Sequence, residues 1–180
     1  MNQYEELCVD MGQRAKEASY ELAQIDQGAL DRALLAIADS LEAHIDEVMA
    51  ANSKDLDQSV HYDVPQTMLD RLILTPERIA QMALGIRQVA ELKSPVGTLL
   101  ETITRPNGLR IEKRAVPFGV IGIIFEARPN VTVDAGVLCL KTSNATILRG
   151  GKEAFNTNKV IVSLIRNTLE TQGITPDAVQ

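Results

Sequence analysis

The chain has 180 residues, a formal net charge of −6 and 45% apolar residues. This length allows a full hydrophobic core in one domain, or one and a half, and the apolar content excludes a disordered chain. The acidic balance argues against general nucleic-acid binding, which needs a basic surface.

Residues 3–24 predict a helix with a sparse apolar stripe (Leu7, Met11, Ala15, Ala18, Leu22), broken by Asp26-Gln27-Gly28. A stronger amphipathic helix follows, in which Leu30, Leu34, Ile37, Leu41, Ile45 and Val48 recur at spacings of three and four on one face. Residues 50–63 are polar and continue that helix before a loop. Pro65 opens a short helical piece through Leu72. Thr75-Pro76-Glu77 is a strong helix start, a Thr cap followed by Pro at the first position. Ile79, Met82, Ala83, Ile86 and Val89 mark one face of that helix, and Lys93-Ser94-Pro95 ends it. With no Trp and few aromatics, the core must be Leu, Ile, Val, Ala and Met.

The pattern then changes period. Two β-prone runs, 97–103 and 109–116, flank Arg105-Pro106-Asn107-Gly108, and Asn-Gly there predicts a hairpin because both residues tolerate positive φ. Leu109 and Ile111 alternate with Arg110, Glu112 and Arg114, so the second arm is half exposed or paired with another element. An assembly hairpin and a plain surface hairpin both fit. Next, Val120–Phe125 and Ala145–Leu148 are short runs apolar on both faces, suited to central parallel strands covered on both sides. Residues 126–144 between them are long enough for a crossover helix, which Asn130 is placed to cap. Lys152–Gln172 is helical, with Phe155, Val160, Ile161, Leu164, Ile165 and Leu169 as its stripe and Gly173 as its C-terminal glycine. The last residues fall where a third strand is expected to begin. A doubly wound sheet continues with further β-α repeats, so the pattern reads as the first part of a nucleotide-binding domain.

Ligands bind open α/β sheets at the carboxyl ends of the strands. Arg149-Gly150-Gly151-Lys152 stands at one such end, where two glycines permit close backbone approach and two cations favour an anion. A phosphate at the following helix N-terminus and a mere glycine turn with solvated cations are both consistent with it. Neither the G-x-G-x-x-G fingerprint nor a complete Walker loop is present. Glu126–Asn130 stands at the other strand end, either as a cleft lining, with Asn130 an amide donor and Arg128 an anion partner, or as a helix cap with a surface Arg-Glu pair. Cys139 reads as a buried small hydrophobe and Cys8 as a helix residue without a partner; the pair forms neither a metal spacing nor a disulfide framework. His44 and His61 read as surface or helix-packing histidines, and no metal site is expected. No apolar run reaches the length of a membrane span, and MNQYEELCVDMGQR carries no signal-peptide pattern, so no membrane partner and a cytoplasmic location are expected.

Val116–Asn158, VPFGVIGIIFEARPNVTVDAGVLCLKTSNATILRGGKEAFNTN, closely resembles the γ-glutamyl phosphate reductases (glutamate-5-semialdehyde dehydrogenases) of the aldehyde dehydrogenase superfamily. FEARPN, LKTSNA and ILRGGKEA are distinctive together. The helix pattern around Leu34–Leu41, the segment Asp70–Leu72 and RPNGLRIEKRAVPFG extend the resemblance over essentially the whole chain. It implies an α/β fold with leading helices and a hairpin before the first half of a Rossmann-like parallel sheet. It also implies reduction of γ-glutamyl phosphate with NADPH to glutamate 5-semialdehyde, in proline biosynthesis, through a cysteine thioester. Arg149, Gly150, Gly151 and Lys152 then match the strand end that holds the adenosine ribose and its 2′-phosphate. Asn130 matches an oxyanion donor and Arg128 a substrate contact. The implied division is leading helices over 1–96, a hairpin over 97–116 that serves homo-oligomerisation, and the first part of the NADP-binding domain over 117–180. Functional association with glutamate 5-kinase is a further implication. A complete member is more than twice this length, and neither Cys8 nor Cys139 matches its nucleophile. The catalytic domain is therefore expected to be missing and the chain inactive alone. A non-catalytic nucleotide-binding module and an interaction fragment are the alternatives.

Overall fold

The computed structural model describes residues 2–60, 65–126 and 128–180. Its first half is helical: α1 (Gln3–Leu22), α2 (Gln27–Ala43), α3 (Ile45–Ser59), α4 (Gln66–Leu72) and α5 (Pro76–Glu91). Asn2 starts α1 with a capping box, accepting from the Tyr4 and Glu5 amides while Glu5 takes the Asn2 N–H. Ala15, Ala18 and Leu22 are buried, but Leu7 from the expected stripe is exposed.

The single helix expected across Leu30–Val48 is two. His44 leaves helical geometry (φ −114°, ψ 27°) and separates α2 from α3. The buried stripe nevertheless continues across the break, from Leu30, Leu34, Ile37 and Leu41 to Val48. The His44 ring is exposed, with Nδ1 2.7 Å from the Ser40 carbonyl oxygen, as a surface histidine. His61 lies outside the described residues. The polar stretch after residue 50 is helical through Ser59, and it is not a solvated tail: Asn52 and Asp55 are each 1% exposed. Thr75 caps α5 as expected, accepting from the Arg78 N–H with Pro76 in the first turn.

β1 (Leu99–Thr104) and β2 (Arg110–Arg114) pair antiparallel, with Ile103 opposite Ile111. The turn differs from the expected one. Gly108 has positive φ (85°) but Asn107 does not; its side chain accepts the Leu109 N–H instead. Gly108 N–H bonds the Arg105 carbonyl and Arg105 N–H bonds that of Leu109, the pattern of a type I turn closed by a glycine bulge. Every residue of both strands is exposed, so neither face of the second arm is buried.

β3 (Val120–Ile124), α6 (Pro129–Lys141) and β4 (Ala145–Arg149) form the expected β-α-β unit, with Val120 opposite Ala145 and Ile124 opposite Arg149 in parallel register. The other edge of β4 takes up the last residues: Leu148 N–H bonds the Gln180 carbonyl, Gln180 N–H bonds that of Thr146, and Thr146 bridges Val179 in parallel. A third strand thus begins where the sequence predicts it. β4 is the middle strand, packed by both α1 and α6. β3 is not the covered central strand expected. It has no second strand partner among the described residues, and its residues alternate between exposed and half-buried, so one face lies open.

α7 (Phe155–Thr171) follows a single 3₁₀ turn over Lys152–Ala154. The core lies where α2, α5, α6 and α7 meet, with Leu34, Ile79, Ile86, Leu140, Ile161 and Ile165 each at most 1% exposed. Each such side chain contributes about 1.5–3 kcal/mol of burial. Lys141, 3% exposed, locks three of these helices: its ammonium donates to Asp31 Oδ1 (2.6 Å) on α2 and to the Ala90 carbonyl (2.7 Å) on α5. α6 and α7 end alike. Asn144 N–H bonds the Cys139 carbonyl around Ser143 (φ 56°), and Ile174 N–H bonds that of Leu169 around Gly173 (φ 72°). Among the described residues, no helix is long and apolar enough to cross a membrane.

Candidate functional site

The carboxyl end of β4 opens into a cavity of about 540 Å³. Arg149, Gly150, Gly151 and Lys152 line it together, as their spacing predicts, with Phe125 from the end of β3, Thr132 from α6, and Phe155, Asn158 and Lys159 from α7. A Cβ at Gly150 would overlap Asn158 Nδ2 and come within 3.2 Å of the Phe125 ring, so a side chain here would have to displace the Asn158 amide. Thr132 Oγ1 donates to Asn158 Oδ1 at 2.8 Å, which ties the glycine loop's floor to the first turns of α6. Arg149 is exposed and donates to the Gly150 carbonyl at 3.1 Å. Phe155 does not join the apolar stripe of α7; it is 63% exposed and lines the cavity. Phe155, Asn158 and Lys159 escape sequence reading because helical periodicity marks core positions, and these three lie off or beside that stripe.

The α7 N-terminus is not open to a phosphate through its first amides. Asp55, from α3, accepts the Asn156 N–H (3.0 Å) and Thr157 N–H (2.7 Å), together with Asn156 Nδ2 and Thr157 Oγ1. Asn52 joins this buried cluster, donating to the Leu72 carbonyl and Thr157 Oγ1 and accepting the Leu74 N–H. A carboxylate from another helix thus occupies the positive end of the dipole. An anion at the glycine loop has the loop and its cations to bind, not these two amides.

Arg128 and Asn130 belong to a different cavity, of about 450 Å³, between the first turn of α6 and the α4–α5 corner. Among the described residues, the two cavities share no lining residue. Asn130 does not cap α6. The helix begins at Pro129, with Arg128 at the cap position and no side-chain cap, because Pro fits the first helical position. Asn130 therefore lies inside the first turn, and its Nδ2 donates to Asp134 Oδ2 across a long 3.5 Å. Partial desolvation pushes the Asp134 carboxyl above its usual range, against the opposing pull of the Asn130 amide. Arg128 makes no ion pair with Glu126; its N–H bonds the Glu126 carbonyl at 2.7 Å. Burial likewise raises the Cys139 thiol, and the Lys141 ammonium that neighbours it in sequence is committed to Asp31 and Ala90. A thiol held protonated is a poor nucleophile, so Cys139 is the buried hydrophobe that the sequence predicts.

Leading helices, an exposed hairpin and a parallel β-α-β unit with its cleft at the strand ends define a class: part of an aldehyde dehydrogenase-like α/β fold. A probable aldehyde dehydrogenase from Listeria monocytogenes shares this fold at a TM-score of 0.70 and 16% identity, over 96% of this chain and 35% of that one. The particular likeness is to γ-glutamyl phosphate reductases. The chain is 51% identical over 170 residues to that of Ligilactobacillus salivarius and 48% identical to that of Proteus mirabilis, in each case over 94% of its own length. The crystal structure of the Thermotoga maritima γ-glutamyl phosphate reductase matches at a TM-score of 0.92 and 37% identity, over 96% of this chain and 42% of that one. No protein-family profile matches the chain. It spans about two fifths of the length of the curated relatives it matches: 40% and 41% for the two named. The resemblance read from FEARPN, LKTSNA and ILRGGKEA therefore extends along nearly the whole chain, in sequence and in fold.

Proposed function

We propose that this chain supplies the adenosine half of an NADPH site, and the oxyanion side of a substrate site, for reduction of γ-glutamyl phosphate to glutamate 5-semialdehyde. The observation that carries the reading is the cavity at the β4 end. Three cations, Arg149, Lys152 and Lys159, surround a loop whose Gly150 packs closely under Asn158 and Phe125, beside the exposed ring of Phe155. These residues fit the adenosine part of a dinucleotide: an aromatic and apolar wall for the base, close backbone for the ribose, and cations for a 2′-phosphate. NADPH, when bound, supplies hydride to the acyl carbon. Arg149 and Lys152 neutralise the phosphate and hold the ribose. Asn130 donates an amide N–H to the acyl oxygen as it gains negative charge, and its long bond to Asp134 leaves one of its two N–H groups open. Arg128 faces the same substrate cavity.

The domain reading follows from this division of labour: residues 1–96 as leading helices, 97–116 as the assembly hairpin of a homo-oligomer, and 117–180 as the first part of the NADP-binding domain. The exposed apolar residues of the hairpin, Leu99, Leu100, Ile103, Leu109 and Ile111, support its assembly role. A second reading, nucleotide binding without turnover by this chain alone, is favoured by Cys139, whose thiol burial holds protonated. The test is a fluorescence titration with NADPH and NADH, repeated for Lys152→Ala. Saturable binding that prefers NADPH is expected. The variant should lose about 10- to 100-fold in NADPH affinity, as one charge-assisted contact of about 1.5–3 kcal/mol predicts, and little for NADH. Equal affinity for the two nucleotides, or no binding, would overturn the assignment.

A further inference from the structure

The second cavity carries more charge than an oxyanion donor needs. Arg71, Arg78 and Arg128 line it together with Asp70 and Asp134. Two of the five are committed to the fold. Arg78 donates to the Asp70 and Ile73 carbonyls at 2.6 Å each and lies 3.6 Å from the Asp70 carboxylate, which fixes the α4–α5 corner. The other three are not. Among the described residues, Arg71, Arg128 and Asp134 enter no ion pair, and the Asp134 carboxylate accepts only the 3.5 Å bond from Asn130. Two guanidinium groups and one carboxylate thus face one space of about 450 Å³ without neutralising each other. Arg71, Arg128 and Asp134 are all exposed at the rim of this cavity, and partial desolvation raises the Asp134 carboxyl against the pull of the Asn130 amide. A ligand that satisfies all three has a carboxylate and an ammonium close together.

We propose that this cavity is a recognition site for the head group of an α-amino acid, with Arg71 and Arg128 taking the α-carboxylate and Asp134 the α-ammonium. The proposal rests on the reading above and deepens it. Asn130 stands at the same cavity, and the side-chain acyl carbon of a glutamyl group lies three C–C bonds from its α-carbon, a span of about 4 Å at most. The head group held by the arginines and Asp134 then leaves the acyl oxygen to Asn130. Asp134 is a specificity residue, since it separates amino acids from plain dicarboxylates; a site without it would accept both.

The test uses the ¹⁵N-labelled chain and its amide spectrum, titrated with L-glutamate, with glutarate (which lacks the ammonium) and with 4-aminobutanoate (which lacks the α-carboxylate). L-Glutamate should shift the amides around Arg71 and Arg128–Asp134 saturably. Glutarate and 4-aminobutanoate should each bind at least about tenfold more weakly, the loss of one charge-assisted contact. Asp134→Asn, whose unchanged spectrum elsewhere reports a native fold, should lose glutamate affinity by a similar factor and no longer separate glutamate from glutarate. Arg71→Ala should weaken glutamate and glutarate alike. No saturable shift at about 50 mM L-glutamate, where even millimolar binding saturates, would overturn the proposal, as would equal binding of glutarate. The outcome is separable from that of the reaction reading. Equal binding of L-glutamate, L-aspartate and L-lysine supports the head-group site and removes the glutamyl substrate, whereas failure of NADPH to bind at the β4 cavity leaves these shifts untouched.

Discussion

Asp134 is where one side chain joins site chemistry to stability. Its carboxyl titrates above the ordinary value in the folded chain, chiefly through desolvation. The folded state therefore holds the proton more tightly than the unfolded state. The stabilising contribution is present at acid pH and is lost as pH rises through the unfolded value towards the raised folded one; above both, the ionised group disfavours folding. Asp134→Asn should accordingly raise the melting temperature at pH 7 by about 1–2 °C, a small gain because the side chain is partly solvated. Melting curves of the two proteins should converge below about pH 3, where both carry a neutral group. Thermal unfolding monitored by circular dichroism across that range checks the sign.

Among the elements, α7 depends most on distant residues. Its own cap position is Ala154, which supplies no side-chain acceptor. Asp55, from α3, takes the two first-turn amides and the Thr157 hydroxyl in a site 1% exposed. Asp55→Ala should destabilise the chain by about 2–3 kcal/mol, measured by urea unfolding, because several buried donors lose their acceptor. Asp55→Asn, which keeps one oxygen in place, should cost less. The same contrast explains what the sequence could tell. The start of α5 at Thr75-Pro76, the end of α7 at Gly173 and the β-α-β unit were legible because each signal is local. The break at His44 and the burial of Asn52 and Asp55 were not; for the two buried side chains, partners on α7 and at the α4–α5 corner decide. The loop from Arg149 to Lys152 was legible as the carboxyl end of β4, where a cavity opens. The wall that faces it from α7 and the separate cavity around Arg128 and Asn130 were not, because helix packing creates both. β3 misled for a similar reason: an apolar run reports what a strand can bury, and not which face this chain covers.

At the scale of the whole molecule, protection is uneven. β4 is hydrogen-bonded on both edges, to β3 and to Val179–Gln180, and packed by α1 and α6. The hairpin of β1 and β2 exposes every residue and, among the described residues, bonds only within itself and through its base. An isolated two-stranded ribbon is marginal in water. In hydrogen–deuterium exchange the β4 amides should therefore open only with the whole fold and exchange more than about a thousandfold more slowly than those of β1 and β2. The hairpin's clock should also depend on dilution. If it is the assembly element proposed above, its deuterium uptake slows as protein concentration rises while that of β4 stays fixed. Uptake at the hairpin that ignores concentration would remove the assembly role and leave a ribbon that frays freely on a rigid body.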